Sequence, residues 1–581
     1  MKFSELADYF EQLETISSRI ELTKILSSLF KGVSKDEIDK VVYLLQGRVA
    51  PFFEPIEMGM ADRMVVQALA RAYEVNPDEV DKLNTKLGDM GLVAEQLNGK
   101  LKIKNGKLDT LDIYEGLHKI ATTGGEGSVE KKISILSSLL EKMNPLEAKY
   151  LIRIVLSRLR LGIGDPTVLD ALSVAKLGDK SARVALEEAY NKTSDLGFVA
   201  ETFYEKGLEE IKKTKLQIGK PIRPALAERL PDAESIIKRV GSEFAAEPKF
   251  DGFRNQVHLD HADVKIFSRN LENMTTMFPD IVEAVKKEVK AKTAIFEGEA
   301  LAYNPVTGEF LPFQETTKRR RKYDIGEFAQ KLPLKLFTFD LLYLNGKDIT
   351  GLPYEERRKQ LSSIIPSSEK ILVSDEKILH SAAELKEMFN EEISAGLEGV
   401  MIKKLNSPYK AGARGFHWIK FKRMAAGELS DTIDCVLLGI YTGTGKRTEF
   451  GVGGLLVGVY NDKEDRFDTV SKLGTGLTDD EWRSIKVMAD KIRVGKKPAR
   501  VNSILEPSFW VDSSIVLEVF ADEITRSPVH TAGKVGEEPG YALRFPRLVS
   551  FRSADKRAED CTTVEELVEM YRQQKNVKTS P

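Results

Sequence analysis

The apolar pattern of this chain changes twice along its length, and this change constrains the fold more than any single motif. Up to about residue 215 apolar residues recur at helical spacing, as in Phe3, Leu6, Ala7, Phe10 and Leu13. Short apolar runs then alternate with helical stretches, and glycine-rich turns later separate short strands. A chain of 581 residues is too long for one core. We therefore predict an all-α domain, an α/β (α+β) domain and an all-β domain with a final helix, over residues 1–215, 216–426 and 427–581.

A junction between two helices in the first part is a candidate anion site. Asn144-Pro145-x-Glu147 is typical of a helix start, and we expect this helix to run to Leu159. It would stop at Gly162-Ile163-Gly164, where free backbone N–H groups could take a phosphate oxygen. A tight helical hairpin without a ligand is the alternative, and these residues alone favour it.

Composition and cysteine spacing exclude several classes of protein. The net charge of −2 gives no global basic signal, so any nucleic-acid contact would come from local basic patches. Cys435 and Cys561 form no C-x-x-C pair, which argues against a disulfide framework or a four-cysteine zinc site. No apolar run approaches 18 residues, and the N-terminus turns acidic and helical at once. We expect a cytoplasmic protein without a membrane span, associated with the nucleoid if the source is a prokaryote.

The stretch from Glu247 to Arg254 carries the chemistry-bearing residues at the tightest spacing. We expect Lys249 to lie on a strand, Asp251-Gly252 favours a turn, and Arg254 follows five residues after the lysine. A deprotonated lysine amine can attack a nucleotide phosphate, and arginine's planar fork suits phosphate oxygens. A surface strand–turn–strand with a routine Lys–Asp pair remains an equal alternative on this spacing alone.

Further motifs decide between these alternatives. Lys249-x-Asp251-Gly252-x-Arg254 resembles the first motif of the covalent nucleotidyltransferases, and the other motifs follow in order from about Pro221 to Lys556. The chain is similar to ATP-dependent DNA ligases of the archaeal and eukaryotic replicative type. The resemblance implies a helical DNA-binding domain, a nucleotidyltransferase domain of ATP-grasp-like type and a C-terminal β-barrel OB-fold. It also implies nick sealing through a lysyl-adenylate and a DNA-adenylate, in replication, repair or recombination.

The resemblance assigns roles to individual residues. It makes Lys249 the nucleophile and gives Mg²⁺ or Mn²⁺ the ligands Glu299 and Glu398. Phe339 would stack on adenine, and Lys420 would contact the α-phosphate and depress the pKa of Lys249. The implied nucleotide contacts are Glu247, Arg254, Arg269, Glu299, Phe339, Arg414, Lys420, Lys422, Arg544, Arg547 and Lys556. The implied DNA contacts are Arg153, Arg158, Arg160, Gly162 and Gly164.

The implied partners are ATP and nicked double-stranded DNA, and we expect a monomer. A sliding clamp is a partner implied by the resemblance only, because the sequence has no convincing clamp-binding peptide. A capping guanylyltransferase would share the lysine but would not have the long helical region, and an NAD-dependent ligase would want zinc cysteines. A non-catalytic nucleic-acid scaffold is the alternative from another class. It predicts a lost nucleophile or metal acid, whereas Lys249, Glu299, Glu398 and Lys420 are all present.

Overall fold

The computed structural model describes the chain except for a small set of positions. These are Ser17, 102–107, Arg160, Pro231, 312–314, Thr317, 322–323, Ser367, 423–431, 443–450, 553–554 and 579–581, and also the side chains of Leu101, Arg414, Gln573 and 575–578. In the part of the chain so described, no helix combines the length and the apolar character needed to cross a membrane.

Residues 2–215, here called the helical region, pack helices around one continuous apolar core. The prediction of an all-helical first part is confirmed. The helices are α1 (Phe3–Thr15), α2 (Arg19–Gly32), α3 (Ile38–Leu45), α4 (Asp62–Tyr73), α5 (Pro77–Leu87), α6 (Met90–Asn98), α7 (Thr110–Thr122), α8 (Ser128–Leu140), α9 (Pro145–Val155), α10 (Asp165–Leu177), α11 (Arg183–Thr193), α12 (Leu196–Lys206) and α13 (Leu208–Lys212).

The predicted start of α9 is correct, but its predicted end is not. Asn144 and Glu147 form the expected reciprocal capping box. The helix ends at Val155, four residues before the expected Leu159. Ser157 adopts a left-handed conformation, with φ of 54°. The Arg158 N–H then donates to the Arg153 carbonyl at 2.7 Å, which closes the helix end early.

Residues 226–422, here called the two-sheet region, alternate strands with helices as predicted. One sheet has the order β1-β11-β10-β2-β9, and the other has the order β4-β3-β5-β6-β7 with β8 beside β6. The elements are β1 (Leu226–Arg229), α14 (Ala233–Val240), β2 (Phe244–Lys249), β3 (Phe253–Asp260), β4 (Asp263–Ser268), α15 (Pro279–Glu288), β5 (Thr293–Ala302), α16 (Ile325–Lys331), β6 (Leu334–Leu344), β7 (Lys347–Asp348), α17 (Tyr354–Ile364), β8 (Ile371–Val373), β9 (Lys377–Leu379), α18 (Ala382–Ser394), β10 (Gly399–Lys403) and β11 (Arg414–Lys422).

Residues 432–578, here called the C-terminal sheet region, are built mainly from antiparallel strands. The main sheet has the order β15-β17-β12-β13-β14-β16, and β18 pairs with both β12 and β21. The elements are β12 (Thr432–Tyr441), β13 (Gly454–Asn461), β14 (Arg466–Leu473), α19 (Asp479–Lys491), β15 (Arg493–Val494), β16 (Val501–Asn502), β17 (Phe509–Val511), β18 (Val516–Phe520), β19 (Glu523–Ser527), β20 (Gly540–Arg544), β21 (Arg547–Phe551) and α20 (Val564–Lys578).

One helix in this last region was missed by the sequence analysis. We expected only strands between residue 427 and the final helix, whereas α19 occupies thirteen residues there. The signal was present in the sequence. Thr478 and Glu481 form a capping box that starts the helix, and a threonine followed three positions later by a glutamate is its signature.

Candidate active site

The register of three strands brings the candidate nucleophile and its neighbours together at one end of the first sheet. β10 lies between β2 and β11, and Gly399 pairs with Lys249 on one side and with Lys422 on the other. Glu398 directly precedes this glycine. Its Oε2 atom forms an ion pair with the Lys249 ammonium group and lies 3.1 Å from Lys422 Nζ. The expected nucleophile, one expected metal ligand and one expected phosphate contact are therefore adjacent.

The pKa of Lys249 differs in direction from the sequence-based expectation. Burial disfavours the ammonium group, but Glu398 outweighs burial, with help from Glu299 and Asp251, and the pKa is raised. We expected Lys420 to depress this pKa. Lys420 does line the same pocket, but the ion pair with Glu398 is the stronger influence. In this arrangement the Lys249 amine is protonated, and it must pass its proton on before it can attack.

The carboxylates around Lys249 form a donor set that suits a cation. Burial raises the pKa of Glu299 to about 7, although Lys249 and Arg254 oppose the shift. Burial also raises the pKa of Asp251 to about 6, and the charge of Glu398 adds to this effect. Like charges in a buried site are relieved by a bound cation, and Mg²⁺ favours oxygen ligands. Among the described residues no three His, Cys, Asp or Glu side chains converge as a preformed cage. Mg²⁺ keeps several waters and needs only one or two carboxylates.

Arg254 lines the pocket and is held there by protein partners. Its guanidinium group donates to Glu297 Oε2 and to the Ala225 carbonyl, each at 2.8 Å. The Tyr409 hydroxyl donates to the same Glu297 oxygen at 2.9 Å. Glu297, with 1% of its surface exposed, is thus the buried counter-ion of Arg254. Its role is to orient the arginine.

The end of the pocket around Glu247 contains a network that the sequence did not reveal. Glu247 Oε1 accepts from the Tyr354 hydroxyl at 2.7 Å and from Arg358 at 3.1 Å. Its Oε2 atom lies 2.7 Å from Lys403 Nζ, which also lies 4.8 Å from the centre of the Phe339 ring. These cations keep Glu247 fixed beside Phe339. The sequence signal for Lys403 is weak, because it is simply the first of two lysines that follow Gly399 to Ile402.

The C-terminal sheet region closes the pocket from the other side. Lys556 lines the pocket and forms an ion pair with Asp434. Arg552, which the sequence analysis passed over, lines it too. Arg544 and Arg547 do not reach the pocket. They are more than half exposed and lie 3.5 Å from acids of their own region, Glu523 and Asp522.

The remaining nucleotide contacts expected from the sequence divide into two groups. Arg269, Phe339 and Lys420 line the pocket together with Glu247, Lys249 and Glu299. The backbone of Arg414 begins β11, but its side chain lies outside the described part of the structure. The structure therefore gathers most of these residues in one pocket and leaves Arg544 and Arg547 away from it.

The expected DNA contacts in the helical region need one correction. Arg153 is only 5% exposed and does not form a DNA-accessible surface. It lies 2.9 Å from Glu14 and 3.0 Å from Asp89, so it is a buried structural cation. Arg158 is partly exposed and pairs with Asp62 at 3.1 Å. Arg160 lies outside the described residues, and Gly162 and Gly164 lie against the C-terminal sheet region.

The buried network around Arg153 predicts a pH-dependent stability. Burial opposes the charge of Glu14, but Arg153, Lys149 and Tyr150 lower its pKa from 4.5 to about 2. Glu14→Gln should therefore lower the free energy of unfolding by about 2 kcal/mol at neutral pH. Ionised Glu14 stabilises the fold above pH 4.5, and this contribution is lost as the pH falls through about 2. Urea unfolding measured from neutral to acidic pH should show the difference between the two proteins shrinking, with exposed Glu11→Gln as control. A difference that does not change with pH would contradict the prediction.

Comparison with known proteins identifies the class. Residues 2–173 match the family described as DNA ligase N terminus, 224–422 match ATP dependent DNA ligase domain, and 448–556 match ATP dependent DNA ligase C terminal region. A probable DNA ligase of Dictyoglomus turgidum is 51% identical, covering 100% of this chain and 99% of its own length. The corresponding protein of Dictyoglomus thermophilum is 50% identical over the same shares. A DNA ligase of Sulfolobus acidocaldarius is 42% identical, covering 98% of each chain.

These matches and the three-part architecture define a multidomain ligase enzyme with a nucleotidyltransferase domain between a helical region and a C-terminal sheet domain. The chain belongs to the ATP-dependent DNA ligase family. Sealing nicks in DNA with ATP is the activity of this family, and roles in replication and repair are typical of it.

Proposed function

We propose that this chain seals nicks through three displacement steps at phosphorus, with Lys249 as the residue that becomes adenylylated. The observation that carries this proposal is the strand register at Gly399, which holds Lys249, Glu398 and Lys422 together. The same pocket has acids for a cation, basic groups for phosphates and an aromatic side chain for a base.

In the first step the Lys249 nitrogen attacks the α-phosphorus of ATP. A P–N bond forms, the bond from that phosphorus to the bridging oxygen breaks, and pyrophosphate leaves. The lysine must lose its proton to solvent, and its ion pair with Glu398 must open before the amine can attack. Arg254, Lys420 and Lys422 balance the charge at the α-phosphate. Lys556 balances the charge of the outer phosphates, and we add Arg552 to this role because it lines the same pocket.

In the second step a 5′-phosphate oxygen at the nick attacks the adenylate phosphorus, and the Lys249 nitrogen leaves and is reprotonated. In the third step the 3′-hydroxyl attacks that 5′-phosphorus, the phosphodiester forms and AMP leaves. Glu299 and Glu398 are the residues that would hold Mg²⁺ or Mn²⁺. When bound, the ion supplies charge neutralisation at the phosphate oxygens. The raised pKa of Glu299 fits a group that gains stability when a cation lies beside it.

The nucleotide-binding end of the pocket fits an adenine base. Phe339 would stack on the ring, and Glu247 would accept from the exocyclic amino group. Two oxygens of Glu247 share three protein donors, which leaves acceptor capacity on Oε2. Arg269 would hold ribose or phosphate oxygens, and Arg414 would contact the nucleotide. Arg544 and Arg547 could contact the outer phosphates only after a rotation of the C-terminal sheet region.

The proposed function also assigns a role to each of the three parts of the chain. We propose a DNA-binding domain over 1–215, an adenylation domain of ATP-grasp-like type over 216–426 and an OB-fold domain over 427–581. The mainly antiparallel sheet formed by β12–β18 supports a small barrel. The boundary at 426 falls within 423–431, outside the described residues.

The protein would act as a monomer in the cytoplasm or nucleoid, with a sliding clamp as a further partner. Arg158, Arg160, Gly162 and Gly164 would contact the DNA backbone.

Phe339→Leu should raise the KM for ATP about three- to tenfold while leaving kcat at saturating ATP nearly unchanged. Leucine keeps the apolar contact but loses the flat face on which a base can stack. Initial rates of pyrophosphate release at varied ATP would measure the effect. Phe389→Leu is a matched control, because Phe389 packs against Phe421 with tilted rings and does not line the pocket. Equal effects from both substitutions would refute the stacking role.

The proposal as a whole is tested by incubating the protein with Mg²⁺ and α-labelled ATP or, separately, α-labelled GTP. Label from ATP that remains on the protein in a denaturing gel and leaves when nicked duplex is added is the expected result. Label from GTP alone would point to a guanylyltransferase. Label from neither nucleotide would favour a non-catalytic nucleic-acid scaffold and overturn the proposal.

A further inference from the structure

The junction proposed to bind DNA phosphates is covered by another part of the same chain. Several contacts join the helical region to the C-terminal sheet region. Arg19 donates to the Lys463 carbonyl at 2.5 Å, and Lys496 donates to the Glu14 carbonyl at 3.2 Å. Added Cβ atoms on Gly162 and Gly164 would lie 2.3 Å from Ala499 Cβ and 2.5 Å from Asp465 Oδ2. Both glycines are therefore approached too closely for DNA to share the surface.

The contact at Gly164 is made by a buried carboxylate. Asp465 lies in the turn between β13 and β14, and 2% of its side chain is exposed. Its Oδ2 atom accepts from the Thr167 hydroxyl of the helical region at 2.8 Å. Within its own region Asp465 Oδ1 accepts from the Tyr460 hydroxyl at 2.9 Å and lies 2.7 Å from Arg500. An anionic group from one region is thus seated at the start of α10 in another.

The start of a helix favours negative charge, and a carboxylate shares with a phosphate its anionic oxygens and its preference for N–H and O–H donors. We propose that Asp465 occupies the position of a DNA phosphate at the start of α10, so that the C-terminal sheet region is latched over the DNA-binding surface until a nicked duplex displaces it. This inference rests on the proposed function, because it requires that the Gly162–Gly164 junction contact DNA.

The latch makes closure compete with DNA binding. In the closed state Lys556 and Arg552 line the nucleotide pocket, as the first chemical step requires. The same closure puts Asp465 on Thr167. If only a fraction of the protein is in the open, binding-competent state, the apparent Kd for DNA equals the intrinsic Kd divided by that fraction, so the apparent affinity is weaker. Loss of the latch should therefore strengthen DNA binding.

Asp465→Asn is the sharpest test because it removes the charge and keeps the shape. Asp465 has φ of 51°, a left-handed conformation that asparagine also adopts. Glu464→Gln, at the exposed neighbouring position, is the matched control. The radius of gyration without DNA, from solution scattering, and the Kd for a nicked duplex at fixed salt would be measured for each. Thr167→Val removes the hydrogen bond to Asp465 from the side of the helical region. For this variant only the radius of gyration would be measured.

The expected result is a larger radius of gyration for Asp465→Asn and for Thr167→Val, and an about tenfold lower Kd for Asp465→Asn. Glu464→Gln should match the wild type in both measurements. An unchanged radius in both latch variants would overturn the latch. A larger radius with an unchanged Kd would overturn the competition with DNA. A further variant, Gly162→Asp in the Asp465→Asn background, distinguishes failure of the latch from failure of the proposed DNA contact. If the added carboxylate does not weaken DNA binding there, the junction is not a phosphate site and the proposed DNA contact fails.

Discussion

Lys249→Ala should abolish the formation of lysyl-adenylate, with a loss on the order of 10⁴-fold or more in the rate of the first step. No other amine is available in the same position. Lys422 lies on the far side of the Glu398 carboxylate, which contacts both ammonium groups. The pKa of Lys422 is lowered by burial, although Glu398 opposes the shift. Lys422 would lose its proton more readily than Lys249, but it lies on β11 and not on β2, so its amine would attack from a different position and is not an equivalent nucleophile.

The measurement for Lys249→Ala is label transferred from α-labelled ATP to protein, quantified at early times. Lys249→Arg keeps the positive charge and its Glu398 partner but cannot serve as a nucleophile at neutral pH, so it should be equally inactive. Lys377→Ala, at an exposed lysine paired with Glu391, is the control and should label normally. Covalent label on Lys249→Ala at the wild-type rate would exclude Lys249 as the nucleophile.

The chemistry of the third step separates a lost nucleophile from a damaged fold. A nicked duplex that already carries AMP on its 5′-phosphate does not need the lysine as a nucleophile. Lys249→Ala should seal this substrate within about tenfold of the wild-type rate while failing completely on the unmodified nick. Failure on both substrates would mean that the alanine disrupts the pocket as a whole.

The sequence predicted the strands that carry the site but not which distant residues meet on them. β5, β6 and β10 coincide with short apolar runs of the sequence, since such runs reflect local burial. The conjunction of Lys249, Glu398 and Lys422 required the register of two strand pairs, which spacing along the chain does not encode. The sequence analysis grouped these residues only because the motifs that contain them occur in the order seen in the covalent nucleotidyltransferases.

Arg153 shows where this reasoning fails. It sits in a basic stretch near a helix end, a pattern typical of phosphate contacts. Its partners Glu14 and Asp89 lie 139 and 64 residues away in sequence, so their presence could not be read from the neighbourhood of Arg153. The expected nucleotide contacts of Arg544 and Arg547 stay a prediction, because the local sequence does not reveal how β20 and β21, which pair with different strands, are placed relative to the pocket. Arg552 lines the pocket, and those two arginines point to acids of their own region.

The largest loss of stability is expected for Arg357→Met, at about 3–5 kcal/mol in the two-sheet region. Arg357 and Asp340 are both fully buried, and the guanidinium group donates to the two carboxylate oxygens at 2.8 and 2.9 Å. The methionine would leave the Asp340 carboxylate buried without its partner. The double variant Asp340→Leu, Arg357→Met removes both charges and should recover most of the loss.

Hydrogen exchange of β6 peptides during a urea titration would measure local stability. Arg483→Ala, on the surface of α19, is a control that should shift this stability by less than about 0.5 kcal/mol. Because Asp340 directly follows Phe339, the single variant should also bind ATP more weakly than the double variant. If the double variant proves as unstable as the single one, the guanidinium bonds to the Leu352 and Ser407 carbonyls, and not the ion pair, hold this part of the fold.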